Sequence, residues 1–72
     1  MFEFDFFNGT HFITFNLIEC NEEKETVTVV ITNQGKITQD TFALHKDAAG
    51  NLYFEYGLYY DKIYINDFTF EN

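Results

Sequence analysis

Apolar and polar residues alternate along most of the chain with a period of two. The segments FEFDFF and THFITFNLI near the start both follow this alternation, and aromatic and β-branched residues dominate them. A period of two places successive side chains on opposite faces of a β-strand, whereas a helix needs apolar positions three and four residues apart. The pattern therefore predicts strands rather than helices.

Asn8 and Gly9 separate these two segments and predict a β-hairpin. Both residue types tolerate the positive φ angles of a type I′ turn. A two-residue loop would pair Phe7 with Thr10 and Phe2 with Phe15. The first face of the hairpin would then carry Phe2, Phe4, Phe6, His11, Ile13, Phe15 and Leu17. The second face would carry Glu3, Asp5, Phe7, Thr10, Phe12, Thr14 and Asn16.

The most β-prone segment is TVTVVITN, which follows the charged stretch CNEEKE. Val27, Val29 and Ile31 alternate with other residues there, so we expect these three side chains to point into the core. Residues 33–36 are expected to turn the chain into the next strand.

Residues 41–49 are open to two interpretations. Asp40 could cap a short helix that Gly50 ends in a left-handed conformation. The same residues also fit a strand and a longer hairpin loop in which Gly50 adopts a positive φ. We favour the strand, because the neighbouring segments are all strand-like.

The last part of the chain changes its alternation near Asp67. Ile63 and Ile65 share one face of the predicted strand, whereas Phe68 and Phe70 continue on the other, and a bulge near Asp67 would reunite them. We expect one all-β domain over residues 1–72. Its six or seven short strands would form an antiparallel meander that curls into a bent sheet or a partly open barrel.

Length and cysteine content set limits on this domain. A chain of 72 residues buries a small core, and ten Phe and five Tyr supply much of its apolar surface. Cys20 is the single cysteine, so no disulfide can form within the chain, which favours a reducing, cytoplasmic location. We expect neither a signal peptide nor a membrane segment, because no basic and apolar leader or bilayer-length apolar run is present.

The charge of the chain is strongly acidic. Twelve Asp and Glu stand against four Lys and no Arg, for a formal net charge of −8 and an isoelectric point near 4.3. Direct binding of nucleic acid or of an anionic membrane is disfavoured, since both draw affinity from Lys and Arg. The charge instead predicts a basic surface of another protein as partner.

Catalytic and metal-binding patterns are missing from the sequence. Serine is absent, and no glycine-rich phosphate loop or calcium-loop spacing occurs. On a regular strand Cys20 would lie about 30 Å from His11, too far for a catalytic pair. His11, His45 and Cys20 also lack the close spacing of zinc ligands. We therefore expect no cofactor, no metal and no enzymatic activity.

The candidate partner-binding residues are acidic and aromatic. Glu3 and Asp5 share one face of the predicted hairpin, and a rigid sheet of spaced carboxylates could mimic the charge of nucleic acid. By analogy of size and charge, the chain could be a phage- or mobile-element-type inhibitor of a basic host site, although the charge could also serve solubility alone. The carboxylates in this set are Glu3, Asp5, Glu22, Glu23, Glu25, Glu55 and Asp61.

The aromatic residues support an alternative function. One small core cannot bury all of the tyrosines together with Phe7 and Phe12, and exposed aromatic residues are typical of protein interfaces. The alternative is a structural or assembly module that forms a homodimer or larger homo-oligomer through an aromatic face. The tyrosines assigned to partner binding are Tyr53, Tyr59 and Tyr60.

Overall fold

The computed structural model describes residues 1–70, which form eight strands and one short 3-10 turn. This confirms the predicted all-β class, with more strands than the expected six or seven. The turn spans Ile65–Asp67. The strands are β1 (Phe2–Phe7), β2 (Phe12–Asn21), β3 (Thr26–Asn33), β4 (Lys36–Ala43), β5 (His45–Lys46), β6 (Leu52–Tyr56), β7 (Asp61–Tyr64) and β8 (Thr69–Phe70).

The strands form two antiparallel sheets that are not closed into a barrel. The large sheet has the order β4-β3-β2-β1-β8, and the small sheet has the order β5-β6-β7. The first four strands are the predicted meander, but β8 returns to pair with β1. The helix considered for residues 41–49 is absent, because β4 and β5 occupy most of this segment. The small sheet covers one face of the large sheet, here called the inner face, and the opposite face is called the outer face.

Aromatic side chains join the two sheets. The ring of Phe15, on β2, meets the ring of Phe54, on β6, edge-on with centroids 5.6 Å apart. The ring of Phe42, on the edge strand β4, stacks on the ring of Phe54 with centroids 5.1 Å apart. Pairs of this geometry each contribute about 0.5–1.5 kcal/mol beyond the area they bury. The buried core residues are Ile13, Phe15, Val27, Val29, Ile31, Leu44, Phe54, Ile63 and Phe68.

The β1–β2 hairpin has the predicted faces but a different register. Phe7 pairs with Phe12 and Phe2 pairs with Leu17, so the predicted pairing is wrong by two residues. The side chain of Asn8 explains the shift, because its Oδ1 accepts hydrogen bonds from the N–H groups of Thr10 and His11 at 2.9 and 3.0 Å. These bonds stabilise a four-residue connection in place of the two-residue turn. A shift of two leaves every side chain on its predicted face.

The tight two-residue turn occurs instead between β3 and β4. Gln34 and Gly35 have φ angles of 51° and 83°, as a type I′ turn requires, and Asn33 pairs with Lys36. The predicted turn at residues 33–36 is thereby confirmed. The two strands remain in register over all eight pairs that follow from this turn.

The 3-10 turn restores the apolar pattern at the end of the chain. Ile63 is buried, and the turn at Ile65–Asp67 reverses the alternation so that Phe68 is buried on the same side. The predicted irregularity near Asp67 is therefore present, as a 3-10 turn rather than a bulge. Phe68 packs against Phe4 with ring centroids 5.7 Å apart, which ties this segment to β1.

Candidate protein-binding surface

Glu3, which is half-buried, and Asp5, which is exposed, lie on the outer face of the large sheet, and no other layer of residues 1–70 covers this face. Glu3 is opposite Asn16 and Asp5 is opposite Thr14 in the β1–β2 pairing. The Thr14 hydroxyl donates a hydrogen bond to Oδ1 of Asp5 at 2.7 Å and so fixes the orientation of this carboxylate. The structure thus keeps the two acids together on one face, as the alternation predicts.

A third carboxylate, Glu19, joins this face through a β-bulge. The β2–β3 register shifts between Leu17 and Glu19, and Glu19 lies opposite Thr28. Thr28 belongs to the outer face, since its neighbours Val27 and Val29 are buried in the core. Strict alternation would have placed Glu19 on the inner face with Leu17. The only sequence signal for the bulge is a pair of adjacent apolar residues, Leu17 and Ile18.

The rest of the outer face is rich in hydroxyl and amide groups. The hydroxyl groups of Thr28 and Thr41 lie 3.0 Å apart, on neighbouring strands. Over residues 1–70, no lysine belongs to this face. We call Glu3, Asp5 and Glu19 together the acidic face. The strand register places on the same face Phe7, Phe12, Thr14, Asn16, Asn21, Thr26, Thr28, Val30, Thr32, Ile37, Gln39, Thr41, Ala43 and Thr69.

The acids of the β2–β3 turn lie elsewhere. Glu22, Glu23 and Glu25 surround Lys24 in this exposed turn, so a cation interrupts their charge. Glu22 and Glu25 line a small cleft of about 120 Å³ with His45 and residues of β5 and β6. The backbone carbonyl of Glu25 accepts a hydrogen bond from the N–H of Leu44 at 2.9 Å. This turn is therefore oriented toward the small sheet rather than the acidic face.

Glu55 lies on the surface of the small sheet that faces away from the core. Its Oε1 is 3.3 Å from Nε2 of His45, and the β6–β7 register places it opposite Lys62. Lys62 also lies over the ring of Tyr53, with Nζ 5.0 Å from the centroid. Glu55 is thus surrounded by cationic or protonatable side chains of its own sheet. The seven predicted carboxylates do not form one surface, because a layer of core separates Glu55 from Glu3 and Asp5.

The predicted tyrosines are also divided between two places. Tyr53 packs between His45 and Tyr64 on the small sheet, with ring centroids 5.3 Å apart in both pairs. Tyr59 and Tyr60 occupy the turn between β6 and β7 with Leu58, whose exposed fraction is 91%.

That turn borders an open cleft at the end of the molecule that carries the β1–β2 connection, here called the hairpin end. The cleft has a volume of about 390 Å³, and Asp61 is at its edge. Its apolar lining comes from Phe6, Ile13, Tyr56, Leu58 and Tyr59, and its polar lining includes Asn8 and Asn33.

In the part of the chain that the structure describes, neither histidine makes a hydrogen bond to Cys20. Cys20 lies opposite Val27 on the inner face, and partial burial, aided by the charge of Glu22, raises the pKa of its thiol. His11 makes a hydrogen bond through Nε2 to Oδ1 of Asn33 at 2.8 Å. Within the described chain, no group of three or more His, Cys, Asp or Glu side chains could hold a metal ion.

Comparisons with known proteins add no assignment to these surfaces. No family model matches the chain, and neither a curated protein nor a solved structure is found to be similar to it. A search of residues 1–70 for a helix of sufficient length and apolarity to cross a bilayer finds none. Function is therefore inferred from the chain's own surfaces.

Proposed function

We propose that this chain is an acidic protein-binding module whose acidic face binds a basic surface of another protein. The observation that carries the proposal is the arrangement of Glu3, Asp5 and Glu19 on an uncovered sheet face to which no lysine of the described chain belongs. The overall charge of −8 supports it, because a net field of one sign accelerates the encounter with a partner of opposite sign.

The geometry of the acidic face suits a rigid array of basic side chains. Glu3 and Asp5 are two residues apart on β1, a separation of about 7 Å along a strand. Their backbone positions are fixed by pairing with β2, so little conformational entropy is lost when a partner binds. The adjacent threonine and asparagine side chains can donate and accept further hydrogen bonds.

A nucleic-acid-binding groove of another protein is the basic surface that we assign as the partner. Such grooves present lysine and arginine side chains spaced to contact phosphates, and the carboxylates of the acidic face would occupy those contacts. The chain would act as an inhibitor of the host protein, of the kind that phages and mobile elements use. The proposed contact set differs from the one expected from sequence. It keeps Glu3 and Asp5, adds Glu19, and omits the other five carboxylates and the three tyrosines.

Affinity capture with matched variants tests the proposal. The immobilised chain is exposed to a host lysate at about 0.05 M and about 0.5 M salt, a range over which screening of exposed charges becomes strong. One variant carries Glu3→Gln, Asp5→Asn and Glu19→Gln. The control carries Glu22→Gln, Glu23→Gln and Glu25→Gln, so that both variants lose three negative charges and differ only in where they lose them.

The expected result is a basic protein that is retained at low salt and released at high salt. The control should retain it nearly as well as the wild-type chain, and the acidic-face variant should lose it. Equal loss in both variants would mean that net charge alone attracts the protein. A captured protein held equally by the acidic-face variant and the wild-type chain would contradict the proposal.

Homo-oligomerisation is a second candidate function, favoured by the exposed apolar residues at the hairpin end. Leu58 and Tyr59 are 91% and 87% exposed, and Phe7 and Phe12 form an exposed ring pair with centroids 5.0 Å apart. Large apolar side chains clustered in solvent are typical of interfaces. Light scattering after size exclusion of the wild-type chain and of Leu58→Asp tests this function, because the charge should dissociate an oligomer formed through this end.

A further inference from the structure

We propose that two copies of this chain pair through β4 and join their large sheets into one continuous antiparallel sheet. β4 forms one edge of the large sheet, and over the described residues it pairs only with β3. It is eight residues long, has no bulge and contains no proline. A long, regular edge with open N–H and C=O groups is a template for another strand.

The other edge strands of the two sheets are less suited to such pairing. Within the described residues, β8 at the opposite edge of the large sheet and β5 at one edge of the small sheet span two residues each. β7 at the remaining edge has four residues. Short edges offer too few hydrogen bonds to hold a second chain, so β4 is the edge that fits an added strand.

The turn before β4 determines which of its backbone groups point outward. The two-residue turn at Gln34 and Gly35 makes Asn33 and Lys36 a hydrogen-bonded pair, and hydrogen-bonded pairs alternate along an antiparallel ladder. Lys36 and Thr38 therefore direct their N–H and C=O groups toward β3. Ile37, Gln39 and Thr41 direct theirs away from the sheet, toward a potential partner.

Charge complementarity selects one alignment of the two copies. With the two-fold axis at Thr38, Lys36 of each copy lies opposite Asp40 of the other on the same face. Ile37 and Gln39 then exchange four backbone hydrogen bonds across the two copies. An axis at Gln39 would place Lys36 opposite Phe42, and an axis at Asp40 would bring two carboxylates together.

The same alignment also covers an exposed apolar side chain. Ile37 is 69% exposed on the outer face. With the axis at Thr38, the two Ile37 side chains are diagonal neighbours, a separation at which large side chains still make contact. Lys36 and Asp40 cancel in charge, so the segment that forms the interface is locally neutral although each chain carries −8.

The dimer would present two acidic faces on one side. An antiparallel pair with this register has its two-fold axis perpendicular to the sheet, and both outer faces then point in the same direction. The pairing itself does not depend on the proposed function. The two also respond oppositely to salt, since screening weakens binding to a basic partner but relieves the repulsion between two acidic copies.

Sedimentation equilibrium of the wild-type chain, of the four variants described next and of Leu58→Asp tests the pairing. Gln39→Pro removes an outward N–H that β3 does not use, so it should leave the fold intact and weaken the dimer at least about tenfold. Gln39→Ala is the matched control, because it changes the side chain and keeps the N–H. Asp40→Lys should weaken the dimer, and Lys36→Asp with Asp40→Lys should restore it. Circular dichroism checks that each variant is folded.

Three outcomes would overturn the proposal. The first is a wild-type chain that remains monomeric at millimolar concentration in high salt. The second is a dimer that Gln39→Pro and Gln39→Ala affect equally. The third is a dimer that Leu58→Asp dissociates and Gln39→Pro does not, which would place the interface at the hairpin end instead.

Discussion

The hydroxyl of Tyr64 donates a hydrogen bond to Oδ2 of Asp47 at 3.3 Å and thereby joins β7 to the β5–β6 loop. The other oxygen of Asp47 accepts from the N–H groups of Asn51 and Ala49 at 2.9 and 3.0 Å. These bonds, led by that from Asn51, lower the pKa of Asp47. A single carboxylate thus organises the whole loop that precedes β6.

We expect Asp47 to make the fold sensitive to acid. Its pKa is lower in the folded chain than the value of about 3.9 in the unfolded chain. The stabilisation is therefore fully present above about pH 3.9 and is lost as the pH falls through the lower, folded pKa. Urea unfolding from pH 7 down to pH 2 should show this loss in the wild-type chain.

Two substitutions separate the charge of Asp47 from its hydrogen bonds. Asp47→Asn keeps an acceptor oxygen for the loop and should flatten the pH dependence, with a small loss of stability at pH 7. Asp47→Ala should lose more stability at pH 7, because no acceptor remains for the two backbone N–H groups. Identical pH curves for the wild-type and Asp47→Asn chains would contradict this assignment.

The contact of Phe54 with Phe15 and Phe42 is expected to be essential for folding. Phe54 is fully buried at the centre of the interface between the two sheets. Phe54→Ala should cost about 3–5 kcal/mol of unfolding free energy. A domain of 72 residues falls near the low end of the usual total of about 5–15 kcal/mol, so the variant should lose most of its stability and show a large unfolded fraction by circular dichroism at 37 °C. Leu58→Ala, at an exposed site, should change the free energy by less than about 0.5 kcal/mol.

The faces of the strands could be predicted from sequence because they depend only on alternation. Phe4 and Phe15 fall on the inner face whether the hairpin register is the predicted one or the observed one, since the two differ by an even number. The register itself depends on the side chain of Asn8, which binds the N–H groups of its own loop. Asn8 fits both turns, and the sequence does not reveal which bonds form.

The acidic face could be predicted only in part, for a related reason. Glu3 and Asp5 share a strand, so their common face follows from local spacing. The place of Glu19 depends on a bulge, and that of Glu55 depends on which layer β6 joins. The positions of Glu19 and Glu55 both depend on how the apolar faces of the strands pack together. The local pattern of apolar and polar residues does not determine this packing.

The turn between β3 and β4 offers a stabilising substitution. Gln34 has a φ of 51°, in the left-handed region that costs most residues about 1–2 kcal/mol. Asparagine adopts this region more readily and is preferred in type I′ turns before glycine. Gln34→Asn should therefore raise the unfolding free energy by about 0.5 kcal/mol. Gly35→Ala, at a φ of 83°, should lower it, and urea titration of both variants would reveal the opposite signs.

Cys20 should react slowly with alkylating agents in the folded chain. Partial burial is the main cause that raises the pKa of the thiol, and the nearby charge of Glu22 raises it further. Less thiolate is therefore present at neutral pH than in an unfolded chain. The rate of iodoacetamide labelling at pH 7.5 should rise when the chain is unfolded in urea. Glu22→Gln should increase the rate in the folded chain modestly, whereas Glu23→Gln serves as the control. Equal rates in folded and unfolded chains would contradict the burial of the thiol.

The acidic face should contribute to binding without contributing to stability. Within residues 1–70 neither Glu3 nor Glu19 forms a salt bridge, and their carboxylates add like charge to a chain of −8. Glu3→Gln with Glu19→Gln should therefore leave the unfolding free energy within about 0.5 kcal/mol of the wild-type value. Any change in the unfolding free energy should be an increase, because the substitutions relieve repulsion between carboxylates. This increase should become smaller as salt is added, because salt screens the same repulsion in the wild-type chain. A marked loss of stability in this variant would show that the two carboxylates are structural, and the binding role proposed for them would lose its main support.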